Sequence, residues 1–123
     1  MQVIIADDSM VVRTIVERVV NSLGYRSLKA ANGREGIEIL EKMGEEVALI
    51  LLDWNMPILD GFKTLVKIKE DRRFASIPVI MLTSESEDQK VQKAFEAGVA
   101  GYVNKPFTNE ELIESVQQVM KEF

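Results

Sequence analysis

The sequence has no cysteine and no histidine. The first absence excludes disulfides and thiol chemistry. The second removes the commonest general base and the commonest zinc ligand. No apolar run approaches the length of a membrane span, and the residues from Gln2 onward read as a strand rather than a secretion signal. No P-loop pattern occurs, and the loop after the first apolar run, "IADDSMVV", contains no glycine. A nucleotide or flavin phosphate bound there would need the N–H groups of a glycine-rich loop, so an acidic loop invites a cation instead. Basic residues are outnumbered, 15 against 20 acidic ones, and the net charge of −5 disfavours non-specific nucleic-acid binding.

What is present is apolar residues in short, regular packets. They make up 46% of the 123 residues, which fits a globular chain. A chain of this size buries roughly two-thirds of its unfolded surface, enough for a core without staples. One domain over residues 1–123 is expected, with no separate output domain, in a soluble, cytoplasmic and monomeric protein.

The packets alternate between two periods. Val3 to Ala6 reads as a buried strand. Val12, Ile15, Val16, Val19, Val20 and Leu23 then recur at helical spacing, and Gly24 stops that helix. Ser27 to Ala31 is a weaker strand. Asn32 to Glu35 resembles a capped helix start, leading through Leu40. Val47 to Leu52 is the strongest strand. Asp60 can cap a helix carrying Phe62, Leu65, Val66 and Ile68. Pro78 to Leu82 is the fourth strand. Ser84 or Ser86 can begin a helix that turns Val91, Ala94 and Phe95 inward and ends at Gly98. Ala100 to Val103 is the fifth strand. Thr108 to Glu111 carries a capping-box signature for a last helix with Leu112, Ile113, Val116, Val119, Met120 and Phe123 on one stripe.

Five strands therefore alternate with five helices. The strands are solid apolar runs, as expected where helices cover both faces. The pattern predicts an α/β fold, a doubly wound five-stranded parallel sheet of flavodoxin-like order 2-1-3-4-5. Ligands of such sheets bind beyond the carboxyl ends of the strands.

The residues at those ends are Asp7-Asp8, Asp53, Thr83-Ser84 and Asn104-Lys105-Pro106. Three carboxylates converging on one edge repel unless they are protonated or share a cation. Oxygen ligands without His or Cys favour a hard ion, Mg²⁺ with Mn²⁺ as the alternative. Beside such an ion Asp53 can attack a phosphoryl donor, with Lys105 and Thr83 meeting the transferred oxygens. A phosphohydrolase would want a general acid two residues beyond its nucleophile. That position is Asn55, which cannot transfer a proton.

Taken together, Asp7-Asp8, Asp53, Thr83 and Lys105-Pro106-Phe107 resemble the receiver domain of bacterial response regulators, in order and spacing along the whole chain. "DWNMPILDG" with Tyr102 is similar to the CheY-like, chemotaxis-type branch. The resemblance implies that Asp53 takes a phosphoryl group from a CheA-like histidine kinase. It implies Mg²⁺ held by Asp8, Asp53 and the Asn55 backbone carbonyl, with Asp7 acting mostly through water. Lys105 would contact the phosphoryl group, next to a cis peptide to Pro106. Thr83 and Tyr102 would shift together and remodel the face of the fourth helix, fifth strand and fifth helix. Asn55 and Glu85 would tune dephosphorylation. Ser84 and Asn104 depart from the alanine and the apolar residue frequent at their positions. Both lie near the switch face, so they bear on the partner rather than the chemistry.

Single residues have plainer readings. Asp7, Asp8 or Ser9 can cap a helix, and Asp53 can make an Asx-turn. Lys105 can be a solvated surface lysine, and Tyr102 partial core. Trp54, next to Asp53, is expected beside the pocket mouth. The resemblance implies a two-component signalling switch that binds a flagellar motor switch protein or another output protein, with a dedicated phosphatase as a further partner. A phosphorelay intermediate, a Mg²⁺-dependent phosphohydrolase and a phosphorylation-independent interaction module are the alternatives. No nucleic-acid or membrane partner is expected.

Overall fold

The computed structural model describes residues 1–122. Its elements are β1 (Gln2–Ala6), α1 (Met10–Ser22), β2 (Arg26–Ala30), α2 (Gly33–Met43), a 3₁₀ turn (Gly44–Glu46), β3 (Val47–Leu52), α3 (Gly61–Glu70), β4 (Val79–Thr83), α4 (Asp88–Glu96), β5 (Gly101–Asn104) and α5 (Asn109–Glu122). All strand pairs are parallel and the order is β2-β1-β3-β4-β5. The architecture is the one read from the alternation of periods. Phe123, expected on the last apolar stripe, lies outside the described residues.

Every residue of β3 and β4 is buried. The pleat divides them between two cores. Val3, Ile5, Leu49, Leu51, Ile80 and Leu82 pack under α1 and α5. Ile4, Ala6, Ile50, Leu52, Val79 and Met81 face α2, α3 and α4. Solid apolar runs arise because both sets must avoid water.

Local chemistry sets most helix starts. Ser9 Oγ accepts the Val12 N–H at 3.2 Å, and Asp60 accepts that of Lys63 at 2.8 Å. Asn32 accepts the Glu35 N–H at 2.9 Å, while the Glu35 carboxylate returns to the Ala31 N–H at 2.7 Å. Thr108 and Glu111 form the full reciprocal box, at 3.1 and 3.0 Å.

Two expectations fail at α4. Neither Ser84 nor Ser86 caps it; the helix begins at Asp88 behind Glu87, which makes no side-chain cap bond. The Glu85 N–H is bonded to the Thr83 hydroxyl and its carbonyl to the Tyr102 hydroxyl, so residues 84–87 are held as a loop. Phe95 is not inward but 49% exposed. Ala94 takes the core-facing position, and the next residue of a helix points about 100° away.

Candidate functional site

Parallel strands end at one edge, and the ladder runs one residue past three of them. The Asp7 N–H donates to Ala30 O at 3.0 Å, Asp53 N–H to Ala6 O at 2.9 Å and Lys105 N–H to Thr83 O at 2.9 Å. The backbone positions of Asp7, Asp53 and Lys105 are thereby part of the rigid sheet. Their side chains follow the last pleat over its edge.

Asp7 and Asp53 are buried, and Asp8 is exposed. One carboxylate oxygen from each lies within 4.8 Å of the others. The Lys105 ammonium reaches Asp7 at 2.6 Å and Asp53 at 3.3 Å. Asp7 also accepts the Ser9 N–H at 2.9 Å. One lysine is thus set against three acids. Burial pushes the Asp53 carboxyl above the ordinary aspartate value, with the nearby Asp7 charge adding to it and Lys105 and Thr83 opposing. For Lys105, burial would lower the pKa, but the Asp7 hydrogen bond and the two carboxylate charges outweigh it and raise it.

The donor set fits a hard divalent cation: three carboxylates at one edge, without nitrogen or sulfur ligands, leaving net negative charge after Lys105 is counted. Asp8 is the exposed member, open to a partly hydrated ion. Asp8→Ala is expected to weaken Mg²⁺ binding roughly tenfold or more, since an anionic ligand is lost. Like charges at such distances repel by about 1 kcal/mol in water, so the same variant should melt no earlier than the parent without metal. Paired melts with EDTA and with Mg²⁺ check both halves.

The remaining predicted residues ring this centre. Thr83 ends β4, fully buried. Asn55 is exposed and donates from Nδ2 to Glu85 Oε1 at 3.2 Å. Tyr102 is half-buried, packed against the core that faces α2, α3 and α4, with its hydroxyl donating to the Glu85 carbonyl. Burial, then the Glu85 and Asp53 charges, raise the Tyr102 pKa. The Lys105–Pro106 peptide is cis.

Trp54 corrects its expectation in part. It lines a shallow depression with Asp8, Asn55, Met56, Pro57 and Asp60, but is only 8% exposed. Its ring stacks on Phe62 with centroids 5.4 Å apart, so aromatic packing draws it off the mouth into the core. Lys90 is a residue the sequence reading missed. Its ammonium donates to Glu85 Oε1 at 2.9 Å and lies 5.6 Å from the Trp54 ring centroid. A spacing of five residues carries no helical signal, and the true start of α4 was needed to find it.

The chain matches the family described as response regulator receiver domain over residues 3–117. It is 35% identical over 122 residues to chemotaxis protein CheY1 of Helicobacter pylori, covering 98% of this chain and 97% of that one. Among solved structures it is similar to chemotaxis protein CheY4 of Vibrio cholerae, with a TM-score of 0.88 and 31% identity over 96% of this chain and 97% of that one. The receiver domain of a sensor histidine kinase from Pseudomonas aeruginosa, solved with magnesium in its active-site cleft, superposes with a TM-score of 0.86 at 28% identity, covering 98% of this chain and 97% of that one.

Proposed function

The chain belongs to the response regulator receiver domain family, and on that premise we propose that it is a CheY-like phosphorylation switch whose phosphoryl acceptor is Asp53. The observation that carries the reading is the place of Asp53. A buried carboxylate at the end of the fully apolar β3 lies 3.3 Å from the Lys105 ammonium and beside Asp7 and Asp8. A strand buried on both faces gives that carboxylate a fixed address.

The Asp53 oxygen attacks phosphorus; an O–P bond forms as the N–P bond of the kinase's phosphohistidine breaks, and the freed imidazole keeps the electron pair. Asp7, Asp8, Asp53 and the Asn55 backbone carbonyl would hold Mg²⁺. That ion supplies charge neutralisation at the transferred oxygens when bound. Lys105, whose ammonium lies 3.3 Å from the Asp53 carboxylate, would meet one of those oxygens. Asn55 cannot act as an acid or base two residues on, which supports an acceptor over a phosphohydrolase. Phosphorylation then acts on Thr83 and Tyr102, and through them on the face of α4, β5 and α5. Phe95, exposed next to the Tyr102 ring at 6.4 Å between centroids, supplies apolar area on that face. Chemotaxis is the setting supported by the similar proteins, with a histidine kinase upstream and a motor switch protein downstream.

Incubation with acetyl phosphate and Mg²⁺, followed by borohydride reduction, tests the reading. An aspartyl phosphate at position 53 is expected to be converted to homoserine there. Conversion elsewhere, or rapid multiple-turnover phosphate release from ordinary monoesters, contradicts it.

A further inference from the structure

Glu85 is a junction. Its N–H donates to Thr83 Oγ1 at 3.3 Å, its carbonyl accepts from Tyr102, and its Oε1 accepts both Asn55 Nδ2 at 3.2 Å and Lys90 Nζ at 2.9 Å. Four segments therefore meet on one residue: β4, β5, the loop after β3, and α4. Asn55 and Glu85 follow Asp53 and Thr83 by two positions each, and both are more open to solvent than those two buried residues.

Among the described residues, Lys90 is the one cation paired with Glu85. It lies in the first turn of α4, its ammonium over Trp54, while Lys93 one turn on lies over Phe62 at 4.3 Å. The stacked Trp54–Phe62 pair is thus a platform for two lysines of α4. This fixes where the Lys90 ammonium can go, and the shared acceptor fixes Glu85 against Asn55.

The cluster behind is already acidic. With Lys90 in place, the Glu85 carboxylate is neutralised. Without Lys90 that carboxylate would keep the Asn55 amide as a partner but no cation, and would add a fourth negative charge at this edge of the sheet. We propose that Lys90 is a positioning residue for the acceptor site, holding and neutralising Glu85 so that the pocket mouth admits anionic phosphodonors. This rests on Asp53 being the acceptor. An ion pair this open to solvent, its side chains 36% and 22% accessible, contributes little to stability, so the effect lies in local charge and placement.

The test is loading by acetyl phosphate, in which the Asp53 O–P bond forms, the acyl O–P bond breaks and acetate leaves. Lys90→Met is expected to load roughly three- to tenfold more slowly at low salt. The deficit should shrink as ionic strength rises. Lys90→Arg should load like the parent, and Glu85→Gln combined with Lys90→Met should recover most of the loss, because no bare carboxylate is left. A merely structural role would not show this charge-dependent rescue. In metal-free protein, the Asn55 side-chain amide resonances should move in Lys90→Met and return in Lys90→Arg. Parental loading by Lys90→Met overturns the proposal. So does a deficit that neither salt nor the double variant relieves, or an Asn55 amide indifferent to Lys90. Failure of the parent itself to load overturns the acceptor reading, and is distinguished because it does not depend on residue 90.

Discussion

Asp53→Asn is expected to abolish phosphoryl incorporation, with labelling falling to background. The amide keeps the shape and can still accept from Lys105, but it has no nucleophilic oxygen of carboxylate strength. Trp54 provides a second readout. It follows Asp53 directly and is the only tryptophan. In the parent its fluorescence should respond to Mg²⁺ and again to beryllofluoride. In Asp53→Asn the second response should vanish. Persistence of the second response, or of the label, would place the acceptor elsewhere.

The same variant tests the electrostatics of the empty fold. The Asp53 pKa is raised in the folded chain, chiefly by burial. A group raised in this way contributes stability that is present below its unfolded pKa and lost as pH rises through the folded value. At neutral pH the ionised Asp53 therefore weighs against the metal-free fold. Metal-free Asp53→Asn should be the more stable protein at pH 7, and the difference should close as the parent protonates on acidification. Melts in EDTA across that pH range check the sign. Saturating Mg²⁺ should reverse the order, because the ion binds the parent, with its full ligand set, more tightly than it binds the variant.

Gly61→Ala is expected to carry the largest stability loss. A Cβ at Gly61 would stand 1.9 Å from the Asp53 carbonyl oxygen, 2.7 Å from its carbon and 2.7 Å from Trp54 Cα. All three are backbone atoms, which cannot rotate aside. The Gly61 N–H also donates to Trp54 O at 2.7 Å, closing the loop from Asp53 to α3 on itself. Overpacking of side chains costs about 1–3 kcal/mol, and a clash against backbone belongs at or above the top of that range. A urea midpoint should fall accordingly. Phosphoryl loading should drop in whatever fraction folds, because the strain falls on the residue bearing the acceptor. Gly36→Ala is the internal control. Its Cβ would meet only Ala6 Cβ at 3.9 Å inside α2, so a gain of about 0.5–1 kcal/mol is expected. Equal behaviour of the two variants would contradict the steric account.

These two glycines mark where the sequence stops being legible. Asp60-Gly61 reads as a cap and a turn, which is true but local. That the α-hydrogen of Gly61 faces the Asp53 carbonyl depends on how the loop folds back. Ile58 in the same loop has φ of 69°, a conformation that β-branched residues rarely take, and no sequence pattern announces it.

The sequence by itself determined the alternation of elements, the parallel sheet, four of the five helix starts and the set of acids, hydroxyl and lysine at the strand ends. Those features are periodic or nearest-neighbour: burial on two faces demands unbroken apolar runs, and caps act over three residues. Tertiary structure decided the rest. Lys105 is closer to Asp7 than to Asp53, Trp54 is drawn inward by Phe62, Phe95 is left to solvent, and Lys90 reaches Glu85. Each of these depends on the distance between side chains on different elements or across a loop, which no spacing along the chain encodes.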